Sequence, residues 1–220
     1  MVKLIYCTAL IGALGLVGCQ SAQKNNPPER QAQKIYHAPA QIFDFDLSSS
    51  VLRGELQLKQ SCNVTGTSLD IRDQKQQQVR IDTFNLSNTA LFAATDANNL
   101  EQISDALLKH YAKQFGTIES TAIKTTHTAQ GDAAIARLSN EQYNLDMMIQ
   151  SRYGYAYVIL LNSALVTDQD AALQQLKLLA KSLHTPGQKQ PDEKLHTPLR
   201  FDLNNQDASA RSQWQKKYCS

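Results

Sequence analysis

Alternation of hydrophobic and polar residues predicts three β-strands in the first half of the chain. Residues 51–59 place leucines between charged and amide side chains at a period of two, which is the pattern of a half-buried strand. Residues 64–71 and 79–86 show further strand patterns on either side of a polar turn. Because the connections are too short for crossovers, we expect these strands to form an antiparallel meander.

Two later segments have the period of amphipathic helices. The first predicted helix runs over residues 98–115, and Gly116 stands where a left-handed glycine commonly ends a helix. The second covers residues 168–184, where Thr167 and Asp170 resemble a capping box. Both helices have one apolar stripe, so each is expected to pack on a sheet.

Strand patterns also occupy the stretch between the two helices, at residues 117–127, 133–138, 144–152 and 155–163. The last two should form a hairpin about Tyr153 and Gly154. Residues 155–163 are apolar at both odd and even positions. A strand of this kind is covered on both faces, so we expect it to lie centrally in its sheet.

These elements predict a single α+β domain over residues 42–186, in the order β-β-β-α-β-β-β-β-α. We expect an antiparallel sheet of about six to seven strands with two packing helices. This order is similar to that of the Mog1/PsbP-like group, which also includes small bacterial lipoproteins of unknown role. The resemblance covers roughly residues 42–184 and rests on element order alone, so it implies no functional residues.

The N-terminal segment has the pattern of an export signal. Lys3 precedes an uncharged apolar run that is shorter than the about 20 residues of a membrane-spanning helix. The run ends in Leu16-Val17-Gly18-Cys19, which resembles the lipobox of bacterial lipoproteins. That resemblance implies a signal peptide of residues 1–18, cleavage before Cys19 and lipidation of its thiol. The alternative is an ordinary signal peptide in which this cysteine has no role.

Lipidation of Cys19 would make a membrane the first partner of this chain. One acyl chain binds only marginally, at about 0.8 kcal/mol for each buried methylene, whereas two or three chains hold persistently. The residue after Cys19 is Gln20 and not an aspartate. By resemblance to enterobacterial lipoproteins, this implies sorting to the outer membrane, facing the periplasm. Residues 19–41 are mostly polar and are expected to form a flexible tether after the lipidated cysteine.

Charge and composition bear on the partners and on the C-terminal end. The chain has 22 basic and 20 acidic side chains, a net charge of +2, so nothing favours a nucleic acid as partner. Residues 187–220 are polar with scattered apolar positions. They predict an extended arm that lies on the domain.

Four cysteines occur, and two of them are left for the exported domain. Cys7 would leave with the signal peptide, and Cys19 would bear the lipid. Cys62 and Cys219 would then share an oxidising compartment, where a pair of cysteines is a candidate disulfide. The alternatives are two separate thiols, or a thiol that pairs with another chain.

The search for catalytic chemistry returns no motif. The chain has no Gly-x-Ser-x-Gly elbow, no His-Glu-x-x-His helix, no phosphate-binding glycine loop and no Cys-x-x-Cys pair. The five histidines are not at the spacing of metal ligands. We therefore predict no catalytic residue, no metal site and no cofactor.

Three tyrosines supply the one candidate binding surface. Tyr153, Tyr155 and Tyr157 follow at a period of two, which would place their rings on one face of the hairpin as a platform for a glycan or a peptide. The alternative is that these rings pack against cross-strand neighbours and keep their hydroxyl groups at the rim.

The sequence therefore favours a non-catalytic lipoprotein of the bacterial cell envelope, which binds a protein partner or a cell-wall component. Two other functions remain open. One is an envelope hydrolase whose active site is assembled from distant parts of the chain. The other is a carrier that holds a small ligand between the sheet and a helix.

Overall fold

The computed structural model describes residues 34–63, 65–87, 89–116, 119–163, 168–185, 212–213, 215–217 and 219. They form the α+β fold that the sequence predicts, with an antiparallel eight-stranded sheet, a small three-stranded sheet and two main helices. The predicted signal peptide, Cys19 and most of the C-terminal arm lie outside the described residues.

The described residues contain eleven strands, β1 to β11 in chain order. Their bounds are Ile35–His37, Asp44–Asp46, Gln57–Asn63, Gly66–Arg72, Gln78–Asn85, Glu119–Ser120, Lys124–Thr128, Gly131–Ser139, Asn144–Arg152, Tyr155–Asn162 and Leu183–His184. The main sheet has the order β3-β4-β5-β10-β9-β8-β6, and β7 also pairs with β8. The predicted meander is β3–β4–β5, and the predicted hairpin is β9–β10.

Strand β10 lies in the middle of the main sheet, as its two-sided apolar pattern predicts. It pairs with β5 on one side and β9 on the other, and its residues from Ala156 to Leu161 are all buried. The turn before it has positive φ at both Tyr153 (50°) and Gly154 (76°). Two such residues match the twist of a tight hairpin, and glycine takes this conformation without strain.

Helix α1 spans Leu100–Phe115, and helix α2 spans Gln169–Ser182. The backbone of Gly116 is left-handed and its N–H donates to the Ala112 carbonyl, so the expected glycine cap is present. The cap of α2 is Asp168, whose side chain accepts from the Asp170 N–H; the expected cap at Thr167 is wrong. The expected end at residue 184 is also wrong, because Leu183–His184 leave the helix to pair with β2.

The first predicted strand, over residues 51–59, begins later than expected. Val51 and Leu52 are buried in a turn, and β3 starts only at Gln57. Gly54 has a φ of 72°, and the Arg53 N–H donates to the Asp73 side chain at 3.1 Å, which bends the chain away from the extended form. Apart from half-buried Cys62, the residues of β3 are exposed, so the leucine alternation did not mark a half-buried strand.

Two apolar cores cover the two faces of the main sheet. Helix α1 packs on β8 and β9, and we call this side the α1 face; Leu107 and Val158 are at its centre. Helix α2 packs on β9 and β10 on the opposite side, the α2 face, with Leu176 and Ile159. The alternation along β10 supplies side chains to both cores.

The α2 face has a second cover, formed by the small sheet β1-β2-β11 and the segment around it. Phe43 and Phe45 from this region are 1% and 0% exposed in the same core as Leu69 and Ile81. Strand β1 lies within residues 34–41, which the sequence assigns to the tether. The folded domain therefore begins before residue 42.

A disulfide joins Cys62 on β3 to Cys219, with the two Cα atoms 5.5 Å apart. The predicted pairing is thereby confirmed, and the end of the C-terminal arm is fixed to the main sheet. Residues 212–213 and 215–217, just before the disulfide, are helical and exposed. Within the described residues, no helix is long and apolar enough to cross a membrane.

Candidate functional site

Apart from Phe84, which packs under α1, the α1 face of the β3–β4–β5 half is polar. The strand register places its outward side chains in two cross-strand rows, Lys59–Asp70–Arg80 and Gln57–Arg72–Gln78. The side chains that alternate with them on β4 and β5, such as Ile71 and Ile81, are buried in the α2-face core. One half-sheet thus has an apolar face and a charged face.

An open groove of about 650 Å³ lies on this charged face, beside the C-terminal end of α1. The two polar rows form its floor, and Leu145 and Leu160 continue that floor toward α1. Phe115, from the last turn of α1, and Tyr143, from the β8–β9 connection, line the groove as well. A helix on one half of a sheet leaves such a step beside it, because the helix is about 10 Å thick.

Arg80 is the most constrained cation of the groove. Its Nε donates to Oδ1 of Asp82 at 2.8 Å, and one terminal nitrogen donates to the Ser68 hydroxyl at 3.3 Å. The Asp70 carboxylate is 3.8 Å from the same Nε. The other carboxylate oxygen of Asp82 accepts from the Tyr111 hydroxyl at 2.5 Å. Asp82 and Tyr111 are buried, so this cluster anchors the guanidinium from below.

The ionisation of this cluster follows from its burial and charges. Burial, and then the Asp82 carboxylate, raise the pKa of the Tyr111 phenol well above its usual value. Burial lowers the pKa of Arg80, but Asp82 and Asp70 outweigh that effect, and its pKa is raised. Tyr111 is therefore a neutral hydrogen-bond donor, and Arg80 is a permanent cation.

The second polar row and the aromatic side of the groove are less constrained. In the amide orientation that satisfies both residues, the Gln78 side-chain oxygen accepts from Arg72 at 2.6 Å. The rings of Phe115 and Tyr143 are 6.5 Å apart and nearly perpendicular, at 88°. Arg72 is exposed, so its guanidinium can also reach a ligand.

The three tyrosines of the predicted platform do not share an exposed face. Tyr157 is 1% exposed, and its hydroxyl donates to the Ile42 carbonyl at 3.1 Å. Tyr155 is half-buried with its ring 6.3 Å from that of Tyr157, and Tyr153 is 47% exposed in the hairpin turn. Burial raises the pKa of both Tyr155 and Tyr157. Tyr157 is therefore a packed core residue, and Tyr155 is packed in part. The three rings do not form the predicted platform.

The described histidines lie away from the lining of the groove. His37 and His127 are exposed and contact Asp44 at 2.9 Å and Asp132 at 2.8 Å. In the part of the chain that the structure describes, no three His, Cys, Asp or Glu residues are grouped as metal ligands. Cys62 and Cys219 are joined in the disulfide, and Cys19 lies outside the described residues.

The space between α1 and the sheet is filled by side chains. Phe84 meets Phe92 and Tyr111 edge-on, at ring distances of 6.1 and 6.3 Å, and Ile103 and Leu107 are fully buried there. A void of about 30 Å³ lies under α2, which is room for about one water molecule. The groove is much larger than this void.

Sequence reasoning missed the groove, although part of its signal was visible. Residues 68, 70 and 72 and residues 78, 80 and 82 are polar at alternate positions. The alignment of these residues in rows depends on the register between the strands. Their exposure in a groove depends on where α1 lies over the sheet. Neither follows from a single strand pattern.

No protein-family model matches the chain. A search of curated proteins finds no match either.

Proposed function

We propose that this protein is a lipid-anchored binding module of the bacterial cell envelope, and that the groove on its α1 face is the binding surface. The groove is the observation that supports a binding role, because it is large, open and lined by both charged and apolar side chains. Its volume is within the range of known ligand sites, about 300–1,000 Å³.

The chemistry of the floor favours binding over catalysis. Both oxygens of the buried Asp82 carboxylate are occupied, one by Arg80 and one by Tyr111. A general base must reach the proton that it removes, and this carboxylate is only 2% exposed, with Arg80 between it and the groove. The cluster instead fixes one guanidinium at the surface, which is the arrangement of a recognition site.

The anchor is proposed from the lipobox-like segment that ends in Cys19. Lipid on this cysteine would hold the domain at the outer membrane, facing the periplasm. The disulfide between Cys62 and Cys219 supports an oxidising compartment, because such bonds persist outside the cytosol.

We also propose membership of the Mog1/PsbP-like group. The support is the element order, in which β3–β4–β5, α1, five further strands and α2 follow one another. Functions differ widely within one fold, so this proposal concerns ancestry and carries no activity.

The anchor is tested by replacing Cys19→Ala in cells fed a labelled fatty acid. We expect the wild-type chain to carry the label and to sediment with membranes, and the variant to lose both properties. Labelled fatty acid on the variant, or unchanged membrane fractionation, would refute the anchor.

The binding surface is tested by an aromatic photo-cross-linking amino acid in place of Tyr143, which lines the groove, in living cells. We expect an ultraviolet-dependent adduct of defined mass. The matched control has the same amino acid at Lys181, an exposed residue of α2 on the opposite side of the sheet. Equal adducts from both positions, or none from position 143, would contradict a binding role for the groove.

A further inference from the structure

We propose that the ligand of the groove is an acidic peptide segment, held through its carboxylates by Lys59, Arg72 and Arg80. This inference rests on the proposed function, since it names the ligand class of the same groove. It is carried by the charge of the floor, the fixed position of Arg80 and the shape of the aromatic side.

The exposed charges of the floor are mainly positive. Lys59 and Arg72 are exposed on neighbouring strands, and the register Lys59↔Asp70 makes them diagonal neighbours. Diagonal side chains on a sheet are about 7–8 Å apart, so the two cations can hold one carboxylate or two adjacent ones. Asp82 lies underneath at 2% exposure, which leaves the half-buried Asp70 as the acidic group among these cations.

Arg80 offers a preorganised donor. Its bonds to Asp82 and Ser68 use Nε and one terminal nitrogen. Among the described residues, no acceptor contacts the other terminal nitrogen. A guanidinium already fixed by its neighbours loses little conformational entropy when it binds a carboxylate, and this raises its contribution to affinity.

The remaining lining fits a peptide better than a sugar. Leu145 and Leu160 give an apolar floor for a side chain, and the amides of Gln57 and Gln78 can pair with peptide groups. Sugar rings commonly stack on flat aromatic faces. Phe115 and Tyr143 are at 88° to each other, so they do not present one flat surface.

The test is binding of a fluorescein-labelled hexapeptide of alternating glutamate and leucine to the full chain, measured by fluorescence anisotropy. The comparison probes are the matching lysine–leucine peptide and a labelled chitin hexasaccharide. We expect binding of the acidic peptide alone, and an affinity that falls as salt is added, because exposed charges are screened.

The charge-reversed variant Lys59→Glu/Arg72→Glu should bind the acidic peptide about tenfold more weakly or worse, because like charges now face each other. The control Lys124→Glu/Lys181→Glu makes the same change in charge at two exposed positions that do not line the groove, and should bind as the wild type. Circular dichroism checks that both variants are folded.

Equal losses in the two variants, or equal binding of the acidic and basic peptides, would overturn the proposal. Binding of the hexasaccharide in place of the acidic peptide would also overturn it. In that last case the cross-link from position 143 would still form in cells, so the binding module would stand and only the ligand class would fail.

Discussion

The two faces of the main sheet have the same strands and different covers. On the α2 face, a helix covers one part and the small sheet β1-β2-β11 with its flanking segment covers the rest, so Phe45 and Leu69 meet in one continuous core. On the α1 face, α1 packs on β8 and β9 and reaches β5 at Asp82 and Phe84, and the rest of the β3–β4–β5 part remains open as the groove. The α2 face has a second cover and is buried as a core, whereas the α1 face lacks one and keeps an open candidate binding surface.

The amino-acid pattern of each strand agrees with this difference. β10 is covered on both faces and is apolar at every position from 156 to 161. β4 is covered on one face and alternates, with Leu69 and Ile71 buried and Asp70 and Arg72 on the open side. The open face therefore has polar residues at the positions that alternate with the buried ones.

The largest effect is expected where the small sheet covers the α2 face. Phe45→Ala removes a fully buried ring and should lower the free energy of unfolding by about 3–5 kcal/mol, measured by urea denaturation. Tyr153→Ala, at an exposed turn position, is the control and should change it by about 0.5 kcal/mol or less. A small loss for Phe45→Ala would mean that the small sheet contributes little to the free energy of unfolding. The second cover of the α2 face would then not stabilise the domain.

The disulfide tests whether the C-terminal arm contributes to one face only. By strand alternation Cys62 belongs to the same side as Leu69, the covered one. The bond joins residues 157 positions apart and so restricts the unfolded chain. The variant Cys62→Ser/Cys219→Ser should therefore lower the free energy of unfolding by about 2–4 kcal/mol.

Peptide binding by the groove should survive that double substitution, because the bond joins the sheet from the other side. Loss of binding without loss of folding would show that the arm contributes to the groove.

Two carboxylates approach Arg80 beneath the groove, and their removal should have different effects on stability. Asp82→Ala leaves the buried Tyr111 hydroxyl and Arg80 without their acceptor and should cost about 1.5–3 kcal/mol. Asp70→Ala removes a carboxylate that is 49% exposed and should cost about 0.5 kcal/mol or less. Urea denaturation of the two variants measures the difference, and similar losses would contradict the anchoring role of Asp82.

Alkaline pH should act on both faces, because each buries one tyrosine. The pKa values of Tyr111 and Tyr157 are raised in the folded state, so their contribution is complete below the unfolded value of about 10 and is lost as pH rises above it. Each should remove about 1.4 kcal/mol of unfolding free energy per pH unit above that value. Denaturation between pH 9 and about 11 measures the slope, and Tyr157→Phe should reduce it by one tyrosine; an unchanged slope would contradict the assignment.

Several features of the fold could be predicted from particular residues. The two-sided apolar run of β10 predicted its central place, and the stripe of α1 with Gly116 predicted that helix closely. The turn at Tyr153 and Gly154 was also predicted, because hairpin residues act locally. The leucines of residues 51–59 misled, since a glycine turn and the bond from Arg53 to Asp73 redirect the chain there, and that bond joins residues far apart in sequence.

Local sequence patterns were enough to predict the α+β class, the two helices, the central strand and the cysteine pair, and the anchor at Cys19 stays a prediction of the same kind. Three other features are visible only in the folded domain: Lys59, Asp70 and Arg80 form one row, Tyr157 is buried, and α1 ends short of β3. These depend on register and on the placement of one layer over another. Such long-range packing is set by the whole domain and is not encoded in any single segment.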